Sequence, residues 1–146
     1  DQPSKSWAYN TLQGTKGIQV IGELLEFRYV ENRGAAFGIL EGRMWFFYII
    51  TIIVVTMLFY YLFTQGKDSL FLNITVGLLI GGTLGNFIDR LLRGFVVDFI
   101  KVDLVSQINF PVFNVADIAI TIGSALFIIY ILFIEQENGD SGRIKK

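Results

Sequence analysis

Three long apolar stretches constrain this chain more than any other feature: "MWFFYIITIIVVTMLFYYLF" (about 44–63), "LFLNITVGLLIGGTLGNFIDRLL" (about 70–92) and "ADIAITIGSALFIIYILFI" (about 116–134). Each is close to the roughly 20 residues that a helix needs to cross about 30 Å of hydrocarbon. The remaining composition agrees. Of 146 residues, 53% are hydrophobic and 17% charged, whereas charged residues reach about a quarter of an ordinary soluble domain. The excess apolar surface must face something other than water. The expectation is a single integral-membrane domain over 1–146, membrane α-helical, with its spans packed as an antiparallel bundle.

The connections set the order of parts. "TQGKDS" (64–69) reads as a tight turn that makes the first two spans antiparallel. Before them, "LLEFRYV" alternates Leu25, Phe27 and Tyr29 with Glu26 and Arg28, the period of a half-buried strand. "GIQVIG" is its candidate hairpin partner. "ENRGAAFGILEG" is rich in glycine and small residues, a loop whose backbone can turn tightly or approach a ligand. The first span, without buried charge, reads as a lipid-facing helix with no further role. The second carries Asn73, Gly77, Gly81, Gly85 and Asp89 at every fourth position, a small-residue face suited to a homodimer contact or, more commonly in a chain with three spans, to close packing inside the bundle. Asn86, Asp89 and Arg90 then fall near the end of that helix, some ~28 Å along it from Leu70. "FVVDF" (95–99) reads as extended, Pro111 biases Phe110 away from helix, and Asp117 falls in the first turn of the last span, where amide donors and the helix dipole favour an anion.

What the chain lacks narrows its chemistry. With no histidine and no cysteine, disulfides, thiolate and imidazole metal ligands, cysteine nucleophiles and serine–histidine catalysis are excluded. A net charge of −1 and the absence of a long basic run argue against nucleic acid as a partner; "GRIKK" at the C-terminus is more simply a cytoplasmic anchor. The opening "DQPSKSW" carries neither an initiator methionine nor a targeting segment, so an N-terminal segment is expected to be missing. Counting lysine and arginine in the loops does not give an orientation, because the side holding 64–69 and the C-terminal tail carries fewer of them than the other.

Carboxylates are the remaining candidates. Asp98 stands among Val96, Val97 and Phe99, and Asp117 among Val115, Ala116 and Ile118, settings in which an ionisable group is a functional candidate. Two carboxyls brought together cannot both ionise easily, and a pair that shares a proton is the electrostatic design of an aspartic protease, which needs no metal. The plainer reading leaves both as surface carboxylates, with Asp117 a helix cap. Asp89 and Arg90, with Asn86 one turn back, read as an ion pair that fixes the helix end. Ser4 and Lys5 allow a serine–lysine dyad by type, though nothing in their spacing turns them towards each other.

Four blocks in order, "DQPSK" (1–5), "ENRGAAFGIL" (31–40), "GNFIDRLLRGFVVDFI" (85–100) and "FNVADIAITIG" (113–123), resemble the successive motifs of the lipoprotein signal peptidase (signal peptidase II) family. The resemblance runs from Asp1 to about Ile134. It implies a bacterial inner-membrane aspartic endopeptidase with four transmembrane helices, three visible in this chain, and a small extracytoplasmic β cradle. Such an enzyme removes signal peptides from prolipoproteins, cutting before a diacylglyceryl-modified cysteine, without a cofactor. It would act as a monomer whose partners are those prolipoproteins and membrane lipids, with its site on the extracytoplasmic side. The implied catalytic pair is Asp98 and Asp117; Asp1, Lys5, Asn32, Gly34, Asn86, Asp89, Arg90 and Asn114 are implied in site support and substrate binding. The family's first transmembrane helix is expected to end at the "DQPSK" block. The rival expectation is a non-enzymatic membrane scaffold or an ion- or proton-handling subunit, which would place the carboxylates near the bilayer midplane.

Overall fold

The computed structural model describes residues 1–34, 40–65, 69–103 and 110–134. Along the chain the elements are α1 (Gln2–Leu12), β1 (Ile18–Ile21), β2 (Leu25–Asn32), α2 (Met44–Gln65), α3 (Leu70–Arg93), β3 (Val96–Val102) and α4 (Val115–Ile129), the last continuing as a π-helical turn over Tyr130–Ile134. Among the described residues three helices, Met44–Thr64, Leu70–Arg93 and Val115–Phe133, are long and apolar enough to cross a membrane. The turn between the first two, most of "GAAFGIL" and the basic C-terminus lie outside the described residues.

The spanning helices run antiparallel. Near the start of α2, Tyr48 donates its hydroxyl to the Arg90 carbonyl at the far end of α3, while Leu58, Tyr61 and Leu62 of α2 pack beside Leu72 and Val76 at the start of α3. Tyr130, at the end of α4, joins that same cluster. Helix ends are closed by their own sequence. Ser69 caps α3 by accepting from the Leu72 amide at 3.2 Å, and Gly94, at φ 76°, terminates it in the left-handed conformation that glycine adopts without strain.

The packing face of α3 differs from the every-fourth-residue stripe expected from sequence. Its buried positions are Leu72, Thr75, Val76, Leu79, Gly82, Gly85, Asn86 and Asp89, whereas Gly77 and Gly81 face open space. The reason is the pitch: at 3.6 residues per turn a four-residue step overshoots by about 40°, so a stripe begun at Asn73 has turned nearly to the opposite side by Asp89. The close contacts fall on Gly82, where a Cβ would lie 2.6 Å from the Ala116 carbonyl oxygen, and on Gly123, where it would lie 2.9 Å from Leu79 Cγ. Here α3 and α4 meet almost backbone to backbone.

The strands form one antiparallel sheet in the order β1-β2-β3, and the hairpin expected of "GIQVIG" and "LLEFRYV" is its first half. Val96, Val97, Asp98 and Phe99 are all buried, because β3 is covered on both faces; Val97 and Phe99 pack with Ala8 and Leu12 of α1. The helix α1 is absent from the sequence reading. It buries Lys5, Ala8 and Leu12, an i, i+3, i+7 face whose periodicity is masked by a lysine among its inward positions. The α1 helix therefore begins within the "DQPSK" block and runs to Leu12.

Candidate active site

Three chain segments deliver the two aspartates to one place. β3 carries Asp98 opposite Val30 of β2. Its far edge pairs with the strand-like residue Phe113: the amides of Phe99 and Ile100 both donate to the Phe113 carbonyl, at 3.0 and 2.8 Å, and the Phe113 amide returns a bond to Ile100 O at 3.0 Å. The next residue, Asn114, caps α4. Its Oδ1 accepts from the Ala116 and Asp117 amides, and Asp117 Oδ2 accepts from the Asn114 amide at 3.0 Å, a reciprocal capping box. The cap reading of Asp117 is thus correct but incomplete, since its other oxygen, Oδ1, accepts from Asn86 Nδ2 at 2.7 Å.

Around Asp98 the donors are Asn32 Nδ2, 2.9 Å from Oδ2, and Asn114 Nδ2, 2.6 Å from Oδ1. Burial pushes the Asp98 carboxyl up to about 6; the Asn32 bond opposes the rise, Asp117 adds to it, and Asn114 and Lys5 oppose it. Both aspartates line a cavity of about 710 Å³, together with Asn32, Gly34 and an apolar wall that includes Phe110, Val112, Ile118 and Ile122.

The remaining expected residues form a layer behind the pair. Lys5, fully buried, bonds Asn86 Oδ1 at 2.7 Å and forms ion pairs with Asp1 Oδ2 at 2.9 Å and Asp89 Oδ2 at 3.1 Å. Burial lowers its affinity for the proton and the neighbouring Asp89 restores part of it. Asp1 Oδ1 accepts from the Ala116 amide at 3.0 Å. A Cβ at Gly85 would meet Asp1 Oδ2 at 2.5 Å, so a side chain there would displace the Asp1 carboxyl from Lys5 and the Ala116 amide. Ser4 donates to the Asp1 carbonyl at 2.6 Å and Lys5 is committed elsewhere, which removes the serine–lysine dyad.

The expected Asp89–Arg90 ion pair is not formed. Adjacent helical residues point about 100° apart. Asp89 turns inward to Lys5, to Arg93 and to the Val97 amide at 3.0 Å. Arg90 turns towards α2, lying over the Phe47 ring at 4.4 Å and donating to the Gly34 carbonyl at 3.2 Å. Gly34 is held in turn by its amide, which donates to Asn32 Oδ1 at 2.9 Å. Sequence reading missed Phe47, Tyr48 and Arg93; only Arg93, one turn beyond Asp89, carried a sequence signal. The first span therefore also has a role beyond facing lipid, since its Phe47 and Tyr48 brace Arg90.

Residues 1–133 match the family described as Signal peptidase (SPase) II. The chain belongs to the signal peptidase II family. It is 46% identical over 132 residues to a lipoprotein signal peptidase of Shouchella clausii (strain KSM-K16), covering 90% of this chain and 85% of that one. Two solved structures of bacterial membrane enzymes, obtained by the in meso method at 2.3 and 1.9 Å resolution, are each 43% identical. They superpose with TM-scores of 0.84 and 0.82, over 90% and 91% of this chain and 80% and 85% of those chains. The fold expected from sequence, spanning helices with a small β cradle, is the one this signal peptidase II adopts, and the scaffold or ion-handling alternative is not favoured.

Proposed function

We propose that this signal peptidase II is an aspartic endopeptidase that removes the signal peptide from diacylglyceryl-modified prolipoproteins, cutting before the lipidated cysteine. The observation that carries the reading is that Asp98 and Asp117 open onto one cavity and are joined through Asn114, whose Nδ2 donates to Asp98 and whose backbone amide donates to Asp117. Asp117, in the first turn of α4 with two donors holding its oxygens, takes the part of the general base. Asp98, pushed up to about 6 by burial, holds the shared proton. Asp117 takes a proton from water as the water oxygen bonds to the scissile carbonyl carbon, and Asp98 gives its proton to the carbonyl oxygen. Collapse of the resulting diol breaks the C–N bond, the proton on Asp117 passes to the leaving nitrogen, and a hydroxyl proton returns to Asp98.

The cavity fits that substrate. Its apolar wall suits acyl chains and an apolar signal sequence, while Asn32 and the exposed Glu31 offer polar groups to a peptide backbone. We place the protein in the bacterial inner membrane with this cavity at the extracytoplasmic surface, where the lipid anchor holds the scissile bond at the depth of the dyad. The test is cleavage of a diacylated prolipoprotein peptide by the purified protein and by its Asp98→Asn variant. The reading expects cleavage by the first and none by the second; equal cleavage would refute it.

A further inference from the structure

We infer that Lys5 is a positioning residue for Asp117, acting through the carboxamide of Asn86; the inference rests on the reading of Asp98 and Asp117 as the catalytic pair. Lys5 bonds to neither member of the pair; the side-chain hydrogen-bond path from its ammonium to their carboxyls runs through Asn86 and Asn114. Its ammonium has three N–H donors and no acceptor. Three oxygens meet them within 3.1 Å: Asn86 Oδ1 at 2.7 Å, Asp1 Oδ2 at 2.9 Å and Asp89 Oδ2 at 3.1 Å. The Gly85 carbonyl, at 3.4 Å, is a weaker fourth contact.

Because a lysine can only donate, Asn86 must present its oxygen to it. That oxygen also accepts from Asn114 Nδ2 at 3.1 Å, a longer bond than the charge-assisted one from Lys5. Asn86 Nδ2 is thereby turned to Asp117 Oδ1 at 2.7 Å. Asn114 is oriented independently, since its Oδ1 is occupied by two helix amides and its Nδ2 serves Asn86 and Asp98. The cation thus sits at one end of a chain of amide dipoles that ends on both carboxyls, and each bond in it polarises the next. Loss of the ammonium leaves Asn86 held by one neutral donor, and the base is less well placed for attack.

The two Asp→Asn variants test the catalytic pair itself. The positioning role is tested separately by steady-state cleavage of a diacylated prolipoprotein peptide by Lys5→Met, Lys5→Gln, Asn86→Ala and the Lys5→Met/Asn86→Ala double variant, each with its melting temperature in detergent. Lys5→Met is expected to lower kcat at least tenfold with KM within twofold. Lys5→Gln, whose amide can still donate to Asn86 Oδ1, should recover a measurable part of that loss. In the Asn86→Ala background the Lys5→Met loss should shrink to within about threefold, because the intermediary is gone. Should Lys5→Met fail to fold, the same comparison is made with Lys5→Gln in both backgrounds. An undiminished loss in the Asn86→Ala background, or a loss expressed in KM alone, overturns the proposal.

Discussion

Asn114 donates to Asp98 Oδ1 through its side chain at 2.6 Å and to Asp117 Oδ2 through its backbone at 3.0 Å. A single residue therefore sets the relative placement of both carboxyls, and it does so while capping the helix that carries one of them. Asn114→Ala should lose both the cap and the side-chain bond to Asp98. We expect about 1–2 kcal/mol of stability to be lost, with a loss of activity larger than the drop in melting temperature accounts for. Thermal melting in detergent beside initial rates decides this.

Asp98→Asn and Asp117→Asn should each remove cleavage, by at least about a hundredfold. The double variant should be scarcely worse than either single one, because the two carboxyls work on one proton. Rates on a diacylated peptide, with membrane insertion and melting as controls, measure it. Full activity in either single variant would exclude the dyad.

Asp98 also predicts a pH dependence of stability. Its carboxyl lies at about 6 in the folded protein against 3.8 in the ordinary case. Since the folded value is raised, the favourable contribution is complete below about 4, is lost as pH rises towards 6, and changes no further above that. The total is of order 3 kcal/mol. Melting the protein and Asp98→Asn in parallel from pH 4 to 7 isolates it: the difference between them should change across this window and level off above it. Cleavage should fall above about pH 6 as the shared proton is lost.

Asp89 and Arg90 have different partners, so their truncations should be nearly additive. Asp89→Ala leaves Lys5 with one fewer counter-charge and the Val97 amide unbonded, and we expect about 3–5 kcal/mol of destabilisation. Arg90→Ala removes the stacking on Phe47 and the bond to the Gly34 carbonyl. Melting of both single variants and the double variant tests this; strong coupling between them would revive the direct ion pair that their adjacency suggests.

The glycines of α3 should divide sharply. Gly82→Ala drives a Cβ into the Ala116 carbonyl, pushing α4 and its Asp117 away, and should lower both stability and activity. Gly77→Ala and Gly81→Ala meet nothing and should be neutral or slightly stabilising. Equal effects at the three positions would mean that α3 packs on its Gly77–Gly81 face.

Recognition of the lipid should appear in rates. Each buried methylene contributes about 0.8 kcal/mol, and that remote binding energy can position the peptide at the dyad. The same signal peptide without its diacylglyceryl group should be cleaved at least tenfold more slowly at equal concentration. Equal rates would point to a less selective protease.

The amino-acid sequence by itself determined the spans, the hairpin and the candidate aspartates, because each is a local property: apolar length, alternation, or a charge in an apolar neighbourhood. The rest required three dimensions. Lys5 reaches Asn86 and Asp89 across more than eighty residues, and Asn32 reaches Asp98 across sixty-six; no periodicity encodes such pairs. Adjacency in sequence even misleads, as Asp89 and Arg90 point to different neighbours because the helix turns about 100° between them. The α1 helix stayed hidden because its inward face includes a lysine, a residue that reads as surface until its three oxygen partners are in place. Which of the α3 glycines touch α4 was decided by how the helices pack: the four-residue stripe is real in the sequence, but the contact follows the 3.6-residue turn.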